Sequence, residues 1–382
     1  MGDKFGVFKG AVVQASSILY DRDQCLDKAV ALIEQVASEG VDLVAFPESF
    51  IPGYPYHIWL GSPMWYHELF KEWFMNSVEI PSKTIDVLCD TARRKNINVV
   101  MGVTERDGNT CYNTLLFIDR RGNLLGKHRK LMPTHVERVH WGLGDGSDLK
   151  TFDLDIGRVS GLICWEHTMD LVRHALIAQR PQVHIASWVG FSNVTGWETL
   201  FDMSTELSAR YHAHVGECFV LNVQGTVDKA CVEKLCQTDY QSQFFKEGGG
   251  WSAIIGPGGG ILAGPIKGEE GILYSEIDLN AIVDMAHWHD AVGHYARPDV
   301  VSLLVQSEKY QVVHPMQRLV EIAPAPRTTV ANEPSAAASR LLADFDKLSA
   351  IMSQQGVHSD IGKLIDQLKS EVEGLPRIYS AD

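Results

Sequence analysis

The chain has 382 residues, 45% of them hydrophobic and 21% charged, with a net charge of −14. Those figures describe a soluble globular protein with one large domain plus a tail, or with two domains. The acidic balance argues against nucleic acid or an anionic membrane as partner, since phosphate binding needs a basic footprint. No run of about 18 apolar residues is present to span a bilayer. Seven cysteines, at 25, 89, 111, 164, 218, 231 and 236, form no CxxC pair and fit a reduced chain. The opening MGDKFGVFKGAVVQAS enters a strand-like pattern without a signal-peptide stretch, so a cytoplasmic location is expected.

In chain order, GAVVQA from Gly10 reads as a short strand. Residues 22–38 place Leu26, Ala29, Val30, Ile33 and Val36 on one helical stripe, which Gly40 ends. VDLVAFPES (41–49) is a buried strand. Residues 57–77, with Trp59, Trp65 and Trp73, break the rhythm and suggest a surface insertion. Helix and strand return at 81–96 and 97–103, and TLLFIDRRGNLLGKHRK (114–130) is a hairpin around an RG turn. Strands at 159–164 and 183–188 flank a helix at 168–179. A further helix is expected at 196–214 and a strand from Cys218.

Residues 228–250 suggest a second surface insertion. The Gly-rich 252–268 leads into a strand, so it reads as a hairpin turn and not a phosphate cradle. APAPRTTVANEPSAAAS (323–339) is a Pro/Ala/Ser linker, followed by a charged helical stretch. The expected division is a catalytic domain at 1–300, an extension and linker at 301–338, and a helical tail at 339–382. The alternation places the fold in the α/β class, with helices packed on a sheet.

Three polar residues stand where buried strands stop: Glu48, Lys130 and Cys164. Ligands in open α/β sheets sit beyond the carboxyl ends of strands, so the three can meet in one cleft. Their chemistry is coherent. A carboxylate can take a thiol's proton, and an ammonium can stabilise the negative charge formed when sulfur attacks. A helix is expected just after Cys164, and its N-terminus would lower the thiol's pKa. The plain alternatives are a core cysteine and two surface charges. The histidines at 128, 135 and 140, and at 287, 289 and 294, raise a zinc site as a rival, although their spacing matches no standard metal motif.

FPESFIPGYP (46–55), KHRKLMPTHVER (127–138), GLICWEH (161–167) and HYARPD (294–299) occur in that order. Together they resemble the nitrilase branch of the carbon–nitrogen hydrolase superfamily. The resemblance spans roughly residues 8–300 and implies a four-layer αββα sandwich that pairs into dimers, which often stack into spirals. The family's Glu–Lys–Cys triad falls on Glu48, Lys130 and Cys164, and its second glutamate on Glu137. It implies hydrolysis of a nitrile to the carboxylic acid and ammonia through a thioimidate and a thioester. The Trp165 main-chain N–H would assist Lys130, and the chemistry needs no metal or organic cofactor. Tyr54, Trp165, Trp188 and Phe191 are the expected pocket walls. One departure is Thr168–Met169–Asp170, where the branch often carries LQPL or NMNP. An amidase, a cyanide-hydrolysing enzyme and a non-catalytic assembly protein with the same fold are the competing readings.

Overall fold

The first strand, β1 (Val7–Gln14), shows how the layers arise. Side chains alternate along a strand, and here Val12 joins one apolar core while Ala11 and Val13 join another. A strand apolar on both faces belongs in the middle of a layered structure.

The computed structural model describes residues 5–313, 336–354 and 365–370. The chain divides into two units, Met1–Tyr310 and Gln311–Asp382. In the first, β1 leads to α1 (Arg22–Ser38), capped by the Asp21 side chain on the Gln24 N–H. Then come β2 (Leu43–Ala45), α2 (His67–Asn76), α3 (Lys83–Lys95), β3 (Asn98–Asp107), β4 (Thr110–Ile118) and β5 (Leu124–Arg129). β6 (Phe152–Leu154), β7 (Gly157–Ile163), α4 (Asp170–Ile177), β8 (Val183–Trp188), α5 (Glu198–Gly216) and β9 (Phe219–Gln224) follow. The unit continues with α6 (Lys229–Leu235), α7 (Asp239–Phe244), β10 (Trp251–Ile255), β11 (Ile261–Lys267), β12 (Gly271–Asp278) and α8 (Asn280–Ala286).

Two six-stranded sheets result, with strand orders β12-β1-β2-β3-β4-β5 and β11-β10-β9-β8-β7-β6. Each has a parallel centre, β1–β2–β3 or β7–β8–β9, between antiparallel flanks. Their inner faces share a core that includes Leu43, Ala45, Leu115, Phe117, Val159 and Ile185. Outside the first sheet, Ala29 and Ile33 of α1 and Leu88 and Ala92 of α3 cover Val44, Val99 and Met101. Outside the second, α4 sets Ala175 and Leu176 on Leu162, and α5 buries Phe201, Ala209 and Ala213. The expected αββα sandwich is the architecture found.

The stretches at 57–77 and 228–250 differ from the sequence expectation. They are docked on the core, because each carries apolar anchors on its short helices. Trp73 of α2 is wholly buried, as are Leu235 of α6 and Phe245 just after α7. Gln241 Nε2 donates to the Leu60 carbonyl at 2.8 Å and ties the two stretches together. In the second unit, α9 (Ala336–Gln354) is followed by helix at 365–370, and Lys369 Nζ pairs with Asp346 Oδ1 at 2.5 Å. Of the expected linker and tail, residues 314–335, 355–364 and 371–382 lie outside the described residues.

Gly102 of β3 lies against the turn that carries Glu48. A Cβ there would meet the Pro47 carbonyl oxygen at 2.0 Å and the Ser49 nitrogen at 2.8 Å. Backbone on both sides leaves nothing to yield cheaply. Gly102→Ala is therefore expected to cost about 1–3 kcal/mol of stability, read as a lowered denaturation midpoint, together with a loss of turnover as the Glu48 turn is displaced.

Candidate active site

Glu48 sits three residues beyond β2 in a turn stiffened by Pro47 and Pro52. Its N–H donates to the Trp188 carbonyl at 3.4 Å, which ties the turn to the end of β8 in the other sheet. Lys130 follows β5 directly, and its N–H donates to the Asn113 carbonyl on β4 at 2.8 Å. Glu137 lies in a 3-10 turn, His135–Val139. Cys164 opens another, Cys164–Thr168, directly after β7.

These four residues, from four separate stretches, come together out of contact with solvent. Lys130 Nζ lies 3.0 Å from Glu48 Oε1 and 2.7 Å from Glu137 Oε2. Asn113 Nδ2 donates to Glu48 Oε1 at 2.6 Å. The Tyr54 hydroxyl donates to Glu137 Oε1 at 2.8 Å, and the Thr134 N–H to Glu137 Oε2 at 2.6 Å. Among the described residues, Glu48 Oε2 has no hydrogen-bond partner. The Cys164 thiol lies within the electrostatic field of Glu48, Lys130 and Glu137.

Burial and charge set the protonation states. Burial pushes Glu48 up to about 7, with Lys130 pulling down and Glu137 pushing up. Burial works against the Lys130 ammonium, but Glu137 and Glu48 outweigh it and hold its pKa well above the usual lysine value. The Cys164 thiol is raised well above its ordinary value, first by burial and then by Glu48; Lys130 and the Trp165 N–H oppose this. This corrects the expectation of a thiol acidified by a helix N-terminus. The helix, α4, begins only at Asp170, after the 3-10 turn. Burial, with Glu48 adding to it, outweighs the pull of the ammonium and favours the thiol over the thiolate.

Cys164 has φ +54°, in the left-handed region, which costs a non-glycine residue about 1–2 kcal/mol. Bonds around the turn hold it there. His167 Nδ1 lies 2.7 Å from the Cys164 carbonyl oxygen and must donate to it. His167 Nε2 then accepts from His184 Nε2 at 2.9 Å, and His184 Nδ1 accepts from the Ser160 hydroxyl at 2.8 Å. All three groups are buried, and burial lowers the pKa of both histidines, which keeps the chain neutral. The Thr168 hydroxyl closes the turn on the Trp165 carbonyl at 2.8 Å.

The expected pocket residues take different places. Tyr54 is a hydrogen-bonding group on Glu137, and the Trp59 indole N–H donates to its hydroxyl at 3.1 Å. Phe191 meets Trp59 edge-on, with ring centroids 4.8 Å apart. Trp165 is half-buried beside Cys164. Trp188 is wholly enclosed, and its ring stacks on His167 with centroids 5.0 Å apart. A small cavity of about 10 Å³, room for about one water, touches Glu48 and Tyr54 and is lined further by Ser17, Tyr56, Thr226 and Cys231. Cys164 is not part of that lining, so the cavity marks the surroundings of Glu48 and not the sulfur. The histidines weighed as zinc ligands are spread over separate partners. His128 pairs with Glu166, His140 with His57 and His289 with Glu217.

Sequence reasoning missed Asn113. β4 reads TCYNTLLFI, with Thr110 and Thr114 polar as well, so no local pattern singled Asn113 out. It also gave no role to Glu166 and weighed His128 only as a zinc ligand, although both stand inside the quoted motifs.

The carbon-nitrogen hydrolase profile matches residues 9–287. The chain belongs to that family. An aliphatic nitrilase of Rhodococcus rhodochrous is 44% identical over 299 residues, covering 78% of this chain and 82% of that protein. A nitrilase of Pseudomonas syringae is 38% identical, covering 78% of this chain and 89% of its own length. Among solved structures, Saccharomyces cerevisiae Nit3 superposes with a TM-score of 0.60 at 22% identity, over 76% of this chain and 96% of that one. That likeness concerns the fold.

Proposed function

We propose that this enzyme hydrolyses an organic nitrile to its carboxylic acid and ammonia, with Cys164 as nucleophile. The observation that carries the reading is the buried ammonium of Lys130 shared by two carboxylates beside a thiol. The relatives named as nitrilases, at 44% and 38% identity, point to the same chemistry.

Glu48 takes the proton from Cys164, and sulfur attacks the nitrile carbon. The nitrogen gains a proton and a thioimidate forms. Lys130 and the Trp165 N–H stabilise the negative charge that develops. Water, deprotonated by Glu48, adds to the same carbon. The C–N bond breaks, ammonia leaves and a thioester remains. A second water releases the acid and returns the thiol. Glu137, held by Tyr54 and Thr134, orients Lys130 and handles protons at the tetrahedral stage. Tyr54, Trp165 and Phe191 wall the pocket for the nitrile's side chain, with Trp188 behind them.

We place the catalytic domain at residues 1–300, followed by an extension at 301–338 and a helical tail at 339–382. A cytoplasmic location is supported by seven unpaired cysteines. Among the described residues, no helix is long and apolar enough to cross a membrane. Assembly as a homodimer is supported by α5, whose outward face exposes Leu200, Met203, Leu207 and Tyr211 in one stripe. Spiral stacking is supported by the outer surfaces of the two docked stretches, where Met64, Trp65 and Tyr240 stand exposed. Carrying Met203→Glu and Leu207→Glu together should turn dimers into monomers on sedimentation. Unchanged mass would remove α5 from the interface.

Cys164→Ala should lose at least about a thousandfold in ammonia release from a panel of aliphatic and arylacetonitriles and cyanide. Wild-type protein quenched in turnover should carry a covalent adduct on Cys164 by mass spectrometry. Turnover of amides but not nitriles would replace the nitrilase reading with an amidase one.

The pH profile follows from Glu48. Its carboxylate must be ionised to accept a proton, and burial holds its pKa near 7. kcat/KM should therefore fall as pH drops through about 7. The Asn113 hydrogen bond favours the ionised form. Asn113→Leu should accordingly move this acid limb upward by about one unit, since a bond to a charged group contributes about 1.5–3 kcal/mol.

A further inference from the structure

Lys130 and Cys164 stand at the ends of β5 and β7, which lie in different sheets. No β-ladder runs between those two strands to fix the separation of ammonium and sulfur. Glu166, two residues past the sulfur, spans that gap. Its Oε2 accepts from the Ile163 N–H, just before Cys164, at 2.7 Å. Its Oε1 accepts from the Leu131 N–H, just after Lys130, at 2.6 Å. His128 Nε2 donates to the same carboxylate at 2.9 Å, while His128 Nδ1 faces the Asp148 carbonyl at 3.3 Å.

Both nitrogens of His128 thus face acceptors, which requires the doubly protonated imidazolium. Glu166 and His128 are 1% and 2% exposed, so the ionised carboxylate has a buried counter-charge. The bond to Ile163 alone would be a local turn cap. The bond to Leu131 reaches across 35 residues of sequence into the opposite sheet, which a turn cap does not need.

We propose that Glu166 is a positioning residue: its carboxylate, charge-paired with His128, clasps the main chain on both sides of the site and sets the distance from Lys130 to Cys164. The proposal rests on the reading of those two residues as the reacting pair. A displacement of about 1 Å between reacting groups costs about a hundredfold in rate. Carboxylate oxygens accept only, and each here holds a separate main-chain N–H.

Glu166→Gln keeps the shape and one acceptor but turns the other oxygen into a donor, so one N–H loses its partner. In protein shown folded by circular dichroism and thermal midpoint, kcat should fall about a hundredfold with KM within about threefold of wild type. Alkylation of Cys164 by iodoacetamide, followed on its own peptide, should slow in parallel. His128→Gln retains a donor but removes the counter-charge, and should show the same split with a loss of about tenfold. If folded Glu166→Gln turns over and alkylates within about threefold of wild type, the clasp is overturned. Should that variant not fold, wild-type rates in His128→Gln overturn it equally. Cys164→Ala in the same assays separates the two readings. Activity there removes the nucleophile, whereas an inactive Cys164→Ala beside a fully active Glu166→Gln removes only the clasp.

Discussion

A single ammonium, sealed from water between two carboxylates, is the constraint around which this molecule is arranged. Alone and buried, Lys130 would be driven to its neutral form. Glu48 and Glu137 keep it charged. Buried ion clusters persist only where further bonds satisfy their polar atoms. Tyr54, Thr134 and Asn113 supply those bonds. Of the four carboxylate oxygens, Glu48 Oε2 is left without a partner among the described residues. Burial, with Glu48 adding to it, favours the protonated sulfur, and burial lifts Glu48 towards the range of a useful base.

The fold exists in a form that can deliver those groups. Turns after strands of both sheets carry them, and bonds between the sheets register one turn against another. The Glu48 N–H on the Trp188 carbonyl is one such bond, and the Glu166 carboxylate on Leu131 and Ile163 is another. The left-handed backbone of Cys164 survives because the His167–His184–Ser160 chain and Glu166 fix the turn from two directions.

Much of this was legible in the sequence, for reasons that differ from element to element. The helix at 22–38 announced itself through its apolar stripe, and β8 through a short, mostly apolar run. Glu48, Lys130 and Cys164 stood out because each stands where an expected strand ends. The rest depended on partners that no local pattern names. Trp73 looked like part of a surface insertion, yet its ring packs against His140 and Trp141 from a distant turn. Tyr54 was read only for its ring, and the bond from its hydroxyl to Glu137 went unforeseen. The thiol's acidity was misjudged because a helix start was assumed nearer than it lies. Burial decides the matter, and the charge that adds most to it, on Glu48, comes from a distant stretch of the chain.

The raised thiol at Cys164 bears on how such a catalyst endures air. Peroxide and similar oxidants attack the sulfur anion, and accessible low-pKa thiols are the ones converted to sulfenic and sulfinic acids. Here burial shields the sulfur and favours its S–H form, and in the proposed mechanism Glu48 draws off that proton. A sulfur held in that form is chemically quiet towards such oxidants.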